Sequence, residues 1–221
     1  AQPFPRRNTS QYLFWAQYLK KHRPEEKLIG VVFMGMGEPF FNYDSVAESL
    51  RTMTDPDLIG LGDRHLSVST AGHVPGIRRF AQDFPQVNLA VSLHAPDDAT
   101  RAELIPVSRR HPIREVMDAV REFSRKTRRL VTYEYVLLAG VNDSQAQARE
   151  LAGLLQDHPC KANLIPFNPV ESTAYQRPAV EVQERFKAIL EQAQIPTTIR
   201  FSKGRSVAAA CGQLRRQTLD A

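Results

Sequence analysis

The run Val31-Val32-Phe33-Met34 stops at Gly35-Met36-Gly37-Glu38-Pro39. Glycine permits close backbone approach and Pro39 has no main-chain N–H to donate, so a strand ending here opens into a tight loop with bare backbone and a carboxylate beside it. A carboxylate so placed suits an ammonium group. The same residues also suit a plain turn between strand and helix, because short glycine motifs recur by chance. Short polar residues close other apolar runs: Ser69 after Leu66-Ser67-Val68, Ser92 and His94 after Leu89-Ala90-Val91, and Asn168 between Pro166 and Pro169. Their hydroxyl, imidazole and amide groups can fix a polar ligand or bond the strand-end backbone. A metal role for His94 finds no second ligand at helical spacing. The sequence has two cysteines. Cys160, beside Pro159 and a strand-like run, reads as a small buried hydrophobe. Cys211, in Ala208-Ala209-Ala210-Cys211-Gly212-Gln213, has small neighbours that leave a thiol reachable. Two cysteines make no disulfide framework, and cannot alone hold an iron–sulfur cluster or structural zinc, which take about four ligands.

The elements that must position these residues alternate along the chain. Tyr12, Trp15, Ala16 and Leu19 give a helical stripe over 8–22, with Thr9 or Ser10 as cap. Strands are expected over Leu28–Met34, Leu66–Thr70, Val87–His94, Leu130–Leu138 (with a buried-looking Glu134), Ala162–Phe167 and Thr197–Phe201. Helices are expected over 44–53, 74–82 and 114–126, after the caps Asn142-Asp143-Ser144, and from Val182 to Ala193. Helix and strand repeat six times, which predicts an α/β fold with a parallel sheet and helices outside it. The polar residues gather at the C-terminal ends of successive strands, which favours a partial (βα)6 barrel over an open doubly wound sheet. A barrel that starts on a helix lacks its first strand, so one domain over 1–221 with that strand missing is the expectation.

The 221 residues are 42% hydrophobic and 24% charged, as in an ordinary globular domain. No apolar run reaches the roughly 18 residues of a membrane span, and Ala1-Gln2-Pro3-Phe4-Pro5-Arg6-Arg7 is no secretory leader, so the expected location is cytoplasmic, off the membrane. The formal net charge is +5. Basic clusters such as Lys20-Lys21-His22-Arg23, Arg109-Arg110 and Arg125-Lys126-Thr127-Arg128-Arg129 read singly as solvated helix faces and together favour a polyanionic partner.

Gly35-Met36-Gly37-Glu38-Pro39, Ser69-Thr70-Ala71-Gly72, Ser92-Leu93-His94-Ala95-Pro96, Asn163-Leu164-Ile165-Pro166-Phe167-Asn168-Pro169 and Ala209-Ala210-Cys211-Gly212-Gln213-Leu214 occur in that order. Together they resemble the radical S-adenosylmethionine RNA methyltransferases of the RlmN/Cfr type, over about residues 8–214. The resemblance implies that Gly37 and Glu38 grip the amino group of S-adenosylmethionine. It implies further cofactor contacts at Ser69, Ser92, Leu93, His94 and Asn168, and Cys211 as the thiol that becomes methylated. It also implies a [4Fe–4S] cluster that cleaves a second cofactor molecule to a 5′-deoxyadenosyl radical. That radical activates the methylated cysteine for addition to C2 of an adenine. The implied partners are 23S ribosomal RNA, with transfer RNA as a second candidate, and an electron donor such as flavodoxin. The residue types suit this chemistry. Adenine C2 is too weak a nucleophile for direct methyl transfer, whereas a thiolate accepts a methyl group readily.

The sequence departs from that family in one large respect. The family's Cys-x₃-Cys-x₂-Cys cluster loop has no counterpart here, and its product-releasing cysteine, general base and RNA-binding domain would lie upstream. Lys203-Gly204-Arg205-Ser206-Val207 also lacks the usual acidic residue after the glycine. The expectation is therefore a C-terminal enzyme portion without cluster ligands, inactive alone. A degenerate, non-catalytic homologue that binds RNA or cofactor is the alternative. Glu134 matches no family contact and is left outside the expected site.

Overall fold

The computed structural model of the protein describes residues 5–26, 28–35, 37–169 and 174–200. Along the chain stand α1 (Pro5–His22), β1 (Val31–Phe33), α2 (Tyr43–Thr54), β2 (Leu66–Thr70), α3 (Val74–Asp83), β3 (Asn88–Ser92), α4 (Asp98–Leu104), α5 (Ile113–Thr127), β4 (Val131–Leu137), α6 (Gln145–Leu155), β5 (Cys160–Pro166), α7 (Val180–Gln192) and β6 (Thr197–Ile199). The six strands form one sheet in the order β1-β2-β3-β4-β5-β6, with every neighbouring pair parallel. An unbroken order means that every crossover steps the same way. With the usual right-handed connection all crossover helices then lie on one face of the sheet, as in a barrel wall. The wall is an open arc among the described residues: β1 pairs only with β2, and β6 only with β5. This is the expected α/β architecture of the partial-barrel kind.

Alternation along the strands sorts their side chains. Leu66 and Val68, Leu89 and Val91, Val131, Tyr133, Tyr135 and Leu137, and Ala162 and Leu164 join the core with the helices. Phe80 of α3 stacks on Phe123 of α5, and Tyr135 of β4 meets Phe186 of α7. Each such side chain contributes about 1.5–3 kcal/mol by leaving water. The opposite, concave face carries Ser69, Ser92, Glu134 and Asn163. Ser92 is in register with Glu134, and Glu134 with Asn163.

The structure adjusts the expected elements. β1 is shorter than Leu28–Met34 because its pairing begins at Val31↔Leu66, where β2 itself begins. Ile29 is left 80% exposed. β3 ends before His94, whose φ of 59° takes the chain out of extended conformation. Phe201 lies outside the described residues. Helix α4 had no expectation because it lacks an apolar stripe: Asp97 caps it through Thr100 N, and its buried residue is Arg101. Of the three expected caps of α6 only Ser144 serves, in a capping box with Gln147.

Candidate functional site

The loop after β1 turns at Gly37, whose φ of 101° is open to glycine and strained for other residues. Glu38 then caps the short 3-10 turn Pro39–Asn42. Its Oε1 accepts from Phe40 N at 3.0 Å and from the Thr70 hydroxyl at 2.8 Å, and its Oε2 accepts from Ala71 N at 2.7 Å. The carboxylate thus fastens its own loop to the end of β2. With two acceptor directions per oxygen, Oε2 keeps one for a ligand. Burial raises the Glu38 pKa, against the opposing pull of the Ala71 and Phe40 amides and the Thr70 hydroxyl.

Thr70 is the hub of this corner. While donating to Glu38, its oxygen accepts from Gly72 N at 3.0 Å and His73 N at 3.2 Å. Gly72 has a φ of 98°, and a Cβ there would meet Arg101 Nη2 and Val116 Cγ2 at 2.9 Å each. The buried Arg101 donates to the carbonyls of Ala71 and His111, so a cation with backbone partners props the β2 loop from below.

On the concave face, the Ser69 and Ser92 hydroxyls lie 3.3 Å apart across β2 and β3. Leu93 is fully buried, so a ligand meets it only through its backbone, and its N–H already donates to Glu134 O at 3.0 Å. His94 Nδ1 accepts from Val136 N at 3.1 Å, which puts the neutral ring's proton on Nε2. Burial and the Arg101 charge push the His94 imidazole down to about 4, against a raising hydrogen bond that the ring donates to the Glu134 backbone. Asn142 brackets the same corner. Its amide donates to the carbonyls of His94 and Val136 at 2.7 and 2.6 Å and accepts from Leu138 N at 2.7 Å. Asn168 follows β5, where Arg177 donates to its Oδ1 at 3.3 Å and to Phe167 O at 2.7 Å.

Gly37, Glu38, Ser69, Ser92, Leu93 and His94 therefore meet at the C-terminal edge of β1–β3, with Asn168 at the same edge beyond β5. Cys211 lies outside the described residues. Sequence reasoning missed Thr70, Arg101, Asn142 and Arg177, which hold the edge together. Thr70 stood only inside the Ser69-Thr70-Ala71-Gly72 motif, and Asn142 only as one of three candidate helix caps.

Bare backbone, a hydroxyl pair, an anion with a spare acceptor direction and the orphaned buried Glu134 Oε2 fit a polar ligand with an amino-acid end and a hydroxyl-bearing body. S-adenosylmethionine has that chemistry. An iron–sulfur cluster does not fit the described residues, which contain no group of three or more His, Cys, Asp or Glu able to hold a metal ion. Cys160 Sγ is buried, donates to Leu155 O at 3.3 Å, and has its thiol pushed up to about 11 by burial.

The family model for the radical SAM superfamily matches residues 14–152. The chain is 50% identical over 191 residues to a probable dual-specificity RNA methyltransferase RlmN of Symbiobacterium thermophilum, covering 86% of this chain and 52% of the relative. It is 48% identical over 190 residues to the dual-specificity RNA methyltransferase RlmN of Sorangium cellulosum, covering 86% and 49%. The crystal structure of a radical SAM methyltransferase from Sphaerobacter thermophilus superposes with a TM-score of 0.88 at 45% identity, over 93% of this chain and 60% of that one. A domain of a pyruvate-formate lyase-activating enzyme from Bacteroides vulgatus shares the fold, with a TM-score of 0.61 at 21% identity over 78% of this chain and 99% of that one. The chain spans about half the length of the curated relatives it matches.

Proposed function

Because the chain belongs to the radical SAM superfamily, we propose that it is the cofactor-binding and methyl-carrying part of an RNA methyltransferase that modifies C2 of an adenine in 23S ribosomal RNA, with transfer RNA as a second substrate. Domain 1–221 acts as one unit, with Cys211 as the methyl-carrying thiol. The observation that carries this reading is the tie between Glu38 and Thr70, 32 positions apart. It brings the glycine loop against the strand end that holds Ser69, 3.3 Å from Ser92.

Bound S-adenosylmethionine would supply the methyl group. The chain's own residues bind and orient it. The backbone at Gly37 and the spare acceptor direction of Glu38 receive the ammonium. Ser69, Ser92, the Leu93 backbone and Asn168 hold the remainder, and His94 stays neutral, fixing the β3 loop to β4. Small misplacement of reacting groups is costly, which is why this edge is built from short, doubly bonded side chains. The net charge of +5 supports a polyanionic partner. A flavodoxin-like electron donor and a cytoplasmic location belong to the same reading. Among the described residues no helix is long and apolar enough to cross a membrane.

Two cysteines supply too few cluster ligands. The chain alone is therefore expected to give no 2-methyladenosine with cofactor and reductant, and product formation would refute this point. Titration of S-adenosylmethionine against the wild-type chain and Glu38→Ala tests the binding site: weaker binding by the variant supports it, and equal affinities overturn the assignment of Glu38.

A further inference from the structure

Phe40 and Phe41 follow the glycine loop and part at once. Phe40 is 3% exposed and packs on Phe80 with ring centroids 5.4 Å apart, whereas Phe41 is 55% exposed. A single exposed phenylalanine is ordinary. This one has company. Its ring meets His73 edge-on at 5.2 Å, and the Arg110 guanidinium lies over it at 6.0 Å. Guanidinium groups also lie over Phe84 and Tyr43, but those residues are buried. Among the described residues, Phe41 alone combines a cation over its ring with a largely open surface.

Three elements meet in this patch. The 3-10 turn Pro39–Asn42 brings Phe41, the start of α3 brings His73 as its cap, and a second 3-10 turn, Pro106–Arg110, brings Arg109 and Arg110. Arg101 joins them from beneath by donating to the carbonyls of Ala71 and His111. Arg109 and Arg110 are exposed and form no ion pair among the described residues, whereas Arg23, Arg78, Arg79 and Arg121 each meet a carboxylate. Two carboxylates border the patch: Glu38, already held by three donors, and Glu115, whose Oε2 lies 4.0 Å from His111 Nδ1.

An exposed ring with bare cations beside it has the make-up of a single-strand nucleic-acid site. Every base has a π face to stack and every phosphate a charge to pair, so such a site holds a strand without reading its sequence. Cations alone would hold a duplex as well. The open ring is what points to unpaired bases. Glu38 caps the same turn that carries Phe41, and Phe41 N donates to Glu38 O at 3.2 Å. A strand stacked on Phe41 therefore lies at the rim of the edge assigned to the cofactor.

We propose that Phe41 is a stacking platform for an unpaired RNA base flanking the one that enters the site, with Arg109 and Arg110 on the neighbouring phosphates. The inference rests on the RNA-substrate reading above, and adds which face of the chain takes the strand and in what form.

The test is fluorescence anisotropy of the full chain with two labelled probes of equal length and charge: a single-stranded RNA of mixed sequence and an abasic ribose-phosphate strand. The wild-type chain is expected to bind the base-bearing strand roughly tenfold more tightly, the scale of one stacked base. Phe41→Ala should lose most of that preference and hold the abasic strand as wild type does, while Phe41→Trp keeps the preference. Arg109→Gln and Arg110→Gln should weaken both probes alike and flatten the logarithmic salt dependence by about 0.7 for each contact removed. A folded Phe41→Ala chain that keeps half or more of the preference overturns the inference. So does an equal loss on both strands, which marks an effect of charge only, or a tryptophan variant as damaged as the alanine one. Should the alanine variant fail to fold, Phe41→Leu decides, since leucine keeps apolar bulk without a π face: a lost preference supports stacking, and a kept one refutes it. A wild-type chain that binds no RNA sinks the RNA-substrate reading and the inference together. A wild-type chain that binds both strands equally sinks the inference alone.

Discussion

Replacing Thr70 by valine keeps the shape of a residue that is 1% exposed and removes its hydroxyl. The hydroxyl donates to Glu38 Oε1 at 2.8 Å and accepts from Gly72 N and His73 N. The bond to the Glu38 carboxyl is worth about 1.5 kcal/mol on the usual scale for a charged partner, and leaving the Gly72 amide unpaired adds about 1.5 kcal/mol. The His73 amide is partly exposed and can turn to water, so it adds little. The expected loss is about 3 kcal/mol, or a fall in Tm of roughly 6–12 °C for a chain of this size. Thr70→Ser restores the oxygen and should recover most of it. Guanidinium denaturation followed by circular dichroism measures the free-energy loss, and a thermal melt the Tm. A valine variant within about 0.5 kcal/mol of wild type, or a serine variant as damaged as the valine one, would refute the claim that one hydroxyl ties the Glu38 loop to β2.

Other consequences are open to measurement. Gly72→Ala combines a φ of 98° with contacts of 2.9 Å to Arg101 and Val116, and should cost about 2–4 kcal/mol in urea unfolding. Because the folded Glu134 pKa is raised above its ordinary value of 4.5, the protonated acid favours the folded state. That contribution is whole below about pH 4.5 and fades as pH climbs through the folded value, so Glu134→Gln should gain on wild type as pH rises across that range. Three lowered histidines, His73, His94 and His158, work in the other direction. They favour the neutral ring in the folded state, a contribution present above pH 6.5 and lost on acidification. A stability profile lacking this acid-side loss would contradict the desolvation of the His94 ring. Cys160, with its thiol pushed up to about 11, should resist iodoacetamide at neutral pH in a Cys211→Ala chain until denaturant is added; rapid labelling in the native chain would contradict its burial.

Strand order and the polar C-terminal edge were legible in the sequence because both rest on local patterns: apolar runs of strand length, helical stripes between them, and small polar residues at the ends. Glu38 was legible as a residue of the site but not in its posture. Its partners Thr70 and Ala71 lie over thirty positions away, and no local signal shows that a carboxylate is already held by three donors of its own chain. Helix α4 escaped for a different reason. Its buried face is an arginine, which defeats a search for apolar periodicity. Glu134 could be read as buried, since it sits among strand residues, yet whether both of its oxygens have partners is a three-dimensional question. Asn142 stood in a run of three cap-forming residues, and only the register of β3 against β4 shows that its amide spans their loops rather than starting α6.

That amide has an entropic consequence. Asn142 binds three backbone groups at once and holds the His94 and Leu138 segments in fixed relation. Ordering a residue's backbone costs about 1–2 kcal/mol, and here that cost falls on folding, before any ligand arrives. A ligand entering between these strand ends meets a surface that has little freedom left to lose. Its heat of binding should therefore reflect contacts made rather than a loop being ordered. The converse also holds: a substitution that frees this bracket would weaken binding through mobility, with every residue that touches the ligand still in place.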